Sequence, residues 1–305
     1  PGTDRCNDMA RFSAPIATAT IRPMDAVPQP PYSLSATIVL YHSPPGLLHR
    51  TVTSLYQAGE HARDAGLLRE IRLLLVDNSC DVAYRDALSE KLEGFPQDDF
   101  FRIDYFPAPE NRGFGAGQNR GLQGVDSDVH LVLNPDVELE KGALQAGLAH
   151  LRRDAGIALL SPRVFAGDGE QEFLCKRYPT VFVLLLRAFA PAFVRNRFRA
   201  RLDHYEMVDV CTADRPAEVP LASGCFMLSP TAGLRAIDGF DERFFLYFED
   251  FDLSLRLATQ GRLVYEPAMR IVHHGGYTAQ KGLRHIRYFI ASGIRFFSTY
   301  GWRWI

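Results

Sequence analysis

The stretch SATIVLYHSPPGLLHRTVTSLYQAGEHARDAGLLREIRLLLVDNS, residues 35–79, decides the fold. It opens on SATIVLY (35–41) and closes on IRLLLVD (71–77), two β-rich apolar runs. Between them Leu47, Leu48, Val52, Leu55 and Tyr56 recur at helical spacing across residues 46–66. Near-continuous apolar strands joined by an amphipathic helix predict a parallel pair with a crossover connection. FRIDYF (101–106) and VHLVLN (129–134) continue the pattern, with shorter helices expected over 82–92 and 115–122. This repetition predicts an α/β chain with a doubly wound sheet flanked by helices.

In such sheets ligands sit beyond the carboxyl ends of the strands. That rule selects four polar clusters: Tyr41-His42, Asp77-Asn78, the run from Asn111 to Asn119, and Asn134 to Asp136. The second half is less regular. IALLSPRVF (157–165), VPLASGCFMLSP (219–230) and RLVYEPAMRIVHH (262–274) read as strands, with FLYFEDFDLSLR (245–256) as a helix between the last two.

Composition sets the outer bounds. With 47% hydrophobic and 23% charged residues the chain is an ordinary globular one, and a net charge of −2 gives no bulk attraction to nucleic acid. Its five cysteines are odd in number and scattered without metal-type spacing, which points to a reducing cytoplasm. No run of about 20 apolar residues predicts a spanning helix. Residues 1–34, rich in Pro, Ala, Thr and Asp, read as a flexible tail rather than a signal peptide.

Each polar cluster has a chemical and a plain structural meaning. Asp77 in VDNS can accept hydrogen bonds from a base or ribose, or simply end its strand in an Asx turn. ENRGFGAGQNRG (110–121) is a glycine-rich loop entering a helix, suited to an anion. It fails as a dinucleotide fingerprint, because Gly113 and Gly115 fit GxGxxG but the third position is Gln118. In LNPDVEL (133–139) Pro135 stiffens the link between Asn134 and Asp136, an oxygen pair that suits a hard divalent cation or a plain turn. VHHGG (272–276) offers His273 as a partner for Asp136 in a metal site.

FLYFEDFDLSLR sets Glu249, Asp250 and Asp252 among aromatic and aliphatic residues. If a helix begins at Glu249, Asp252 and Arg256 form an i, i+4 pair, and Glu249 sits favourably at the positive end of the dipole. Asp250 is left over. A carboxylate at a helix start beside a cleft can serve as a general base.

Taken in order, IVLYH, VDNS, NRGFGAGQNRG, LNPDV, SGCFML, GFDERFFLYFEDFDLSLR and HHGG resemble a family 2 inverting glycosyltransferase of the GT-A fold, in the bacterial rhamnosyltransferase-like subgroup. The resemblance spans roughly residues 36–300. It implies a Rossmann-like mixed sheet, a nucleotide-sugar-binding half over 35–137, and an acceptor and catalytic half over 138–275. A basic apolar insertion at 176–207 and a C-terminal helical, membrane-proximal segment at 276–305 complete that division. It implies that Asp77 binds the base with Tyr41 and His42 nearby. Asn78, Asn111, Arg112, Gly113, Phe114 and Asn119 would line the nucleotide-sugar pocket.

Asn134 and Asp136 stand where the family carries an Asp-x-Asp metal motif, so Mg²⁺ or Mn²⁺ is implied on Asp136 and His273. Asn134 departs from the motif, and the lost carboxylate weakens that implication. Asp250, in its pair with Glu249, matches the catalytic base, and Gly224, Cys225, Tyr247 and Phe248 fall on the acceptor side. The implied activity moves L-rhamnose from dTDP-L-rhamnose to a hydroxyl of lipopolysaccharide or another cell-surface glycan. A UDP-sugar hexosyltransferase, a non-catalytic nucleotide-sugar binder and a membrane-associated scaffold are the alternatives.

KRYPTVFVLLLRAFAPAFVRNRFRARL (176–202) carries seven basic residues and no acidic one. It reads either as a helix packed on the core or as an amphipathic stretch resting on an anionic leaflet. RHIRYFIASGIRFFSTYGWRW (284–304) is a second aromatic, basic helix candidate. The expected location is the cytoplasm, with peripheral contact at the cytoplasmic face of the inner membrane.

Overall fold

Nine consecutive residues from Tyr32 form the first strand, and all but the first are buried, because both faces of the sheet are covered. The computed structural model describes residues 30–275 and 283–305. Most of the expected tail therefore lies outside the described residues, as does 276–282. The strand starts three residues before the expected boundary, so Tyr32, Ser33 and Leu34 belong to the sheet.

The first half runs β1 (Tyr32–Leu40), α1 (Pro45–Asp64), β2 (Leu68–Asp77), α2 (Val82–Leu92), β3 (Phe101–Pro107), α3 (Phe114–Leu122), β4 (Val129–Leu133), β5 (Val137–Leu139) and α4 (Ala143–Arg153). The second continues with β6 (Ile157–Ala166), β7 (Gln171–Glu172), α5 (Val181–Phe189), α6 (Ala192–Arg197), α7 (Arg199–Tyr205), α8 (Val208–Cys211) and β8 (Ala217–Glu218). It ends with β9 (Phe226–Pro230), α9 (Thr231–Ala236), α10 (Glu249–Leu257), β10 (Arg262–His273) and α11 (Leu283–Tyr300).

The strands make one mixed sheet in the order β3-β2-β1-β4-β9-β6-β10-β5, with β7 on β6 and β8 on β10. β1 to β4 are parallel, β9 enters antiparallel between β4 and β6, and β6 and β10 are parallel. Because the chain winds outward to β3 and then returns to place β4 against the other side of β1, the switch point lies between β1 and β4. Ligands of open α/β sheets settle there.

Alternation along β4 shows how both faces are filled. Val129, Leu131 and Leu133 join the core built with α1 and α4, while Val132 joins a second core with Phe240, Leu253 and Leu257. α1 presents Leu48, Val52, Leu55 and Ala58 to the first core, as its spacing predicts. A third, aromatic core ties α5 and α7 to α10 and α11 through residues such as Leu186, Phe244, Phe248 and Phe296. The expected strand 219–230 is cut to Phe226–Pro230, since Gly224 and Cys225 turn the backbone and Leu221, ahead of that turn, bridges to Lys176 instead.

Candidate active site

At the carboxyl end of β2, Asp77 is buried, and its carboxylate accepts from the Ser79 amide at 2.8 Å and the Tyr105 hydroxyl at 2.5 Å. Burial and that carboxylate together push the Tyr105 hydroxyl well up, so the tyrosine stays a donor. Asp77, Cys80, Arg85 and Tyr105 line a cavity of about 140 Å³. Tyr41 lies just past β1 and is exposed. His42 adopts φ 48° and its ring stands between those of Tyr41 and Tyr84 at 5.0 and 5.5 Å. These rings provide an open stacking surface beside Asp77.

The glycine-rich loop is fastened to this end of the sheet. The buried Asn78 side chain donates to the Gly113 carbonyl at 3.0 Å, and the Asn111 side chain accepts from the Gly113 amide at 2.9 Å. Gly113 has φ 95° and ψ 178°, and a Cβ there would stand 2.2 Å from the Phe245 carbonyl oxygen. Only glycine fits. Phe114 then donates its amide to the same carbonyl at 3.1 Å, which ties the loop to the segment leading into α10.

Two expected pocket residues also bond within the protein. Asn119 closes a reciprocal pair with the Phe240 backbone at 2.7 and 2.8 Å, and Arg112 reaches Glu242 at 2.7 Å. Both pin residues 240–242.

Beyond β4, the Asn134 backbone N–H donates to the Cys225 carbonyl at 2.9 Å. Asp136 Oδ1 is buried without a hydrogen-bond partner among the described residues, and His273 Nε2 lies 3.7 Å from it. His273 ends β10 and contacts Glu172 at 2.8 Å through Nδ1. Burial alone would lower its imidazolium, but Cys225, Glu172 and Asp136 around it raise it to about 11. Of VHHGG, Gly276 lies outside the described residues. Among the described residues no group of three or more His, Cys, Asp or Glu side chains could hold a metal. The orphaned Asp136 oxygen suits a cation, and His273 could join it there only by giving up the proton that its neighbours favour.

At the start of α10 the backbone is strained. Tyr247 and Phe248 are both left-handed, at φ 70° and 64°. Each costs roughly 1–3 kcal/mol in a residue that lacks the freedom of glycine. The strain delivers two carboxylates. Glu249 is buried, its Oε2 has no hydrogen-bond partner among the described residues, and burial followed by the Asp250 charge raises it well above the usual carboxylate range. Asp250 accepts from the Gly224 amide at 3.1 Å and the Phe251 amide at 2.9 Å. Burial raises its pKa, while these amides oppose the shift.

Asp252 takes the bracing role the spacing predicts, accepting from Arg256 Nε at 2.8 Å, and the Tyr300 hydroxyl of α11 adds a bond at 2.7 Å. The loop 223–225 links the two halves of the site, because Gly224 holds Asp250 while Cys225 neighbours His273.

Asp250 and Glu249 line an open cavity of about 640 Å³ with Tyr247 and Phe248. Its other walls include Arg187 of α5, Tyr205 of α7 and His285 of α11, residues that sequence reading does not single out. Only the basic and aromatic character of the two segments hints at them. The Tyr247 hydroxyl and His285 Nδ1 are 3.1 Å apart across this wall.

Comparison with known proteins fits this geometry. The glycosyl transferase family 2 model matches residues 35–216. An N-acetylglucosaminyl-diphospho-decaprenol L-rhamnosyltransferase of Mycobacterium tuberculosis is 28% identical over 255 residues, covering 79% of this chain and 76% of that protein. The rhamnosyltransferase WbbL of Escherichia coli is 25% identical over 172 residues, 53% of this chain and 61% of that one. Among solved structures, GalNAc-T7 with UDP, GalNAc and Mn²⁺ superposes with a TM-score of 0.56 at 16% identity. The match covers 80% of this chain and 44% of that longer one. Asp250 and His273 lie beyond the family-matched stretch, so their placement rests on the geometry above. The chain belongs to glycosyl transferase family 2, on a GT-A scaffold, and is similar to bacterial rhamnosyltransferases.

Proposed function

We propose that the protein transfers L-rhamnose from dTDP-L-rhamnose to a hydroxyl of lipopolysaccharide or another cell-surface glycan, with inversion. The observation that carries this reading is Asp250, a carboxylate of raised pKa held by two backbone amides at the wall of a cavity large enough for a sugar. The rhamnosyl donor is supported by the rhamnosyltransferase activity of the two relatives. Residues 35–137 serve as the nucleotide-sugar half and 138–275 as the acceptor half, in the cytoplasm.

The base of the donor lies against Tyr41 and His42 with Asp77 beneath, and the glycine-rich loop faces its phosphates. Asp250 takes the proton from the acceptor hydroxyl as that oxygen bonds to the anomeric carbon. The bond from that carbon to the diphosphate oxygen breaks in the same step, and dTDP leaves. One in-line displacement turns a β-linked donor into an α-L-rhamnoside. Glu249, held neutral, adds no second charge beside the base. Asp136 and His273 would hold Mg²⁺ or Mn²⁺, which when bound offsets the negative charge of the leaving diphosphate.

Asp250→Asn should lower transfer by about 10²–10⁴-fold, the usual contribution of a general base. Thermal stabilisation by dTDP should stay as in the wild type. Transfer at the wild-type rate by Asp250→Asn, followed by mass spectrometry of the acceptor, would refute the assignment.

A further inference from the structure

Large apolar side chains that remain exposed are concentrated in one part of the described chain. Apart from Tyr41 and Val82, they fall on α5, α6, α11 and the residues after it. Phe189 is 63% exposed, Phe193 75%, and no residue of α6 is buried. On α11, Ile286, Ile290 and Ile294 recur every four residues as an exposed stripe, while Ser292 and Phe296 pack inward from another face. Exposed arginines border the stripe at Arg284, Arg287 and Arg295.

The two regions meet. Phe189 and Ile286 line the cavity that holds Asp250, and the Val181 and Phe182 amides donate to the Arg303 and Trp304 carbonyls at 2.8 and 3.1 Å. Neither α5, α6 nor α11 contains an acidic residue. Arg195, Arg197 and Arg201 stand exposed on the α6–α7 side, where Arg199 is paired with Asp203 of α7 at 2.8 Å. No described helix is long and apolar enough to cross a membrane.

We propose that α5, α6 and α11 form a docking face for an anionic lipid bilayer, with the Asp250 cavity opening at the leaflet surface. Apolar side chains flanked by arginines, with no opposing carboxylate on these helices, match a surface that is greasy below and negative above. A face that paired with a second copy of itself would set these arginines against one another. The inference deepens the proposed reaction by fixing the side from which the acceptor arrives, namely from the membrane. Its test reads lipid binding alone and so stands apart from the transfer reading.

The full chain is sedimented with phosphatidylcholine vesicles with and without phosphatidylglycerol. It should bind the phosphatidylglycerol vesicles at least tenfold more, and salt should release it. Phe193→Glu combined with Ile294→Glu, both outside the cavity lining, should lower that partitioning at least tenfold, with thermal unfolding and dTDP stabilisation unchanged. Equal sedimentation of variant and wild type, or no binding of the wild type to anionic vesicles, would overturn the proposal. So would a wild-type dimer in gel filtration that the variant abolishes without any lipid binding, since that result assigns the face to a second copy.

Discussion

Replacing Gly113 with alanine tests how the donor loop and the catalytic helix are joined. At φ 95° and ψ 178° the backbone is in a region essentially reserved for glycine, so alanine costs about 1–3 kcal/mol in strain. Its Cβ would also lie 2.2 Å from the Phe245 carbonyl oxygen, within van der Waals overlap of a backbone atom. Relief requires Phe245 to move. That movement weakens the Phe114 amide bond to the same carbonyl, worth about 1 kcal/mol. The sum is about 2–4 kcal/mol, which for a domain of this size lowers Tm by about 4–16 °C.

The effect should not stop at stability. Phe245 lies two and three residues before Tyr247 and Phe248, whose left-handed backbone aims Asp250, so the shift is passed to the base. Differential scanning calorimetry gives Tm, and transfer measured well below the unfolding range should show kcat/KM reduced at least tenfold. A variant that melts within 2 °C of the wild type and retains full transfer would refute the coupling.

Glu249→Gln tests the buried neutral carboxyl. A group whose folded pKa is raised takes up a proton more readily folded than unfolded, so it costs stability as pH climbs above the ordinary carboxylate range. The variant lacks this term, and its stability relative to wild type in urea unfolding should rise between pH 4 and pH 7. A constant difference would mean that Glu249 is ionised in the folded protein. Asp252→Ala leaves Arg256 and the Tyr300 hydroxyl without their shared acceptor and should cost about 3 kcal/mol in urea unfolding. Asp136→Asn should raise the Mn²⁺ concentration for half-maximal transfer by at least tenfold. An unchanged metal titration would remove Asp136 from the metal site.

The parallel strands were legible because burial on both faces leaves a continuous apolar run, as in Ile38 to Leu40 and Leu73 to Val76. The helices α1 and α2 were legible from spacing and turn residues. β5 was not, since three residues carry no period, and the early half of 219–230 misled because apolar composition does not reveal that Gly224 breaks the pairing. At the site, glycine at 113 and the carboxylates at 249–252 stand out by residue type alone. What no local pattern carries is who receives a hydrogen bond. The Asn119 amide suits a ligand as well as the Phe240 backbone, and only the folded loop decides. Likewise Arg187, Tyr205 and His285 reach the Asp250 cavity from helices far apart in sequence, and the basic, aromatic character of those segments does not say where they meet.

The antiparallel strand β9 also has a consequence for synthesis of the chain. β4 is complete by residue 133, yet its outer neighbour is not made until residues 226–230. Until then the nascent protein carries an unpaired strand edge of Val129, His130, Leu131, Val132 and Leu133, open to pairing with any other chain. Translation stalled between these points, or a truncation ending there, leaves that edge exposed. The first four strands thus leave the ribosome well before the sheet can be closed on that side.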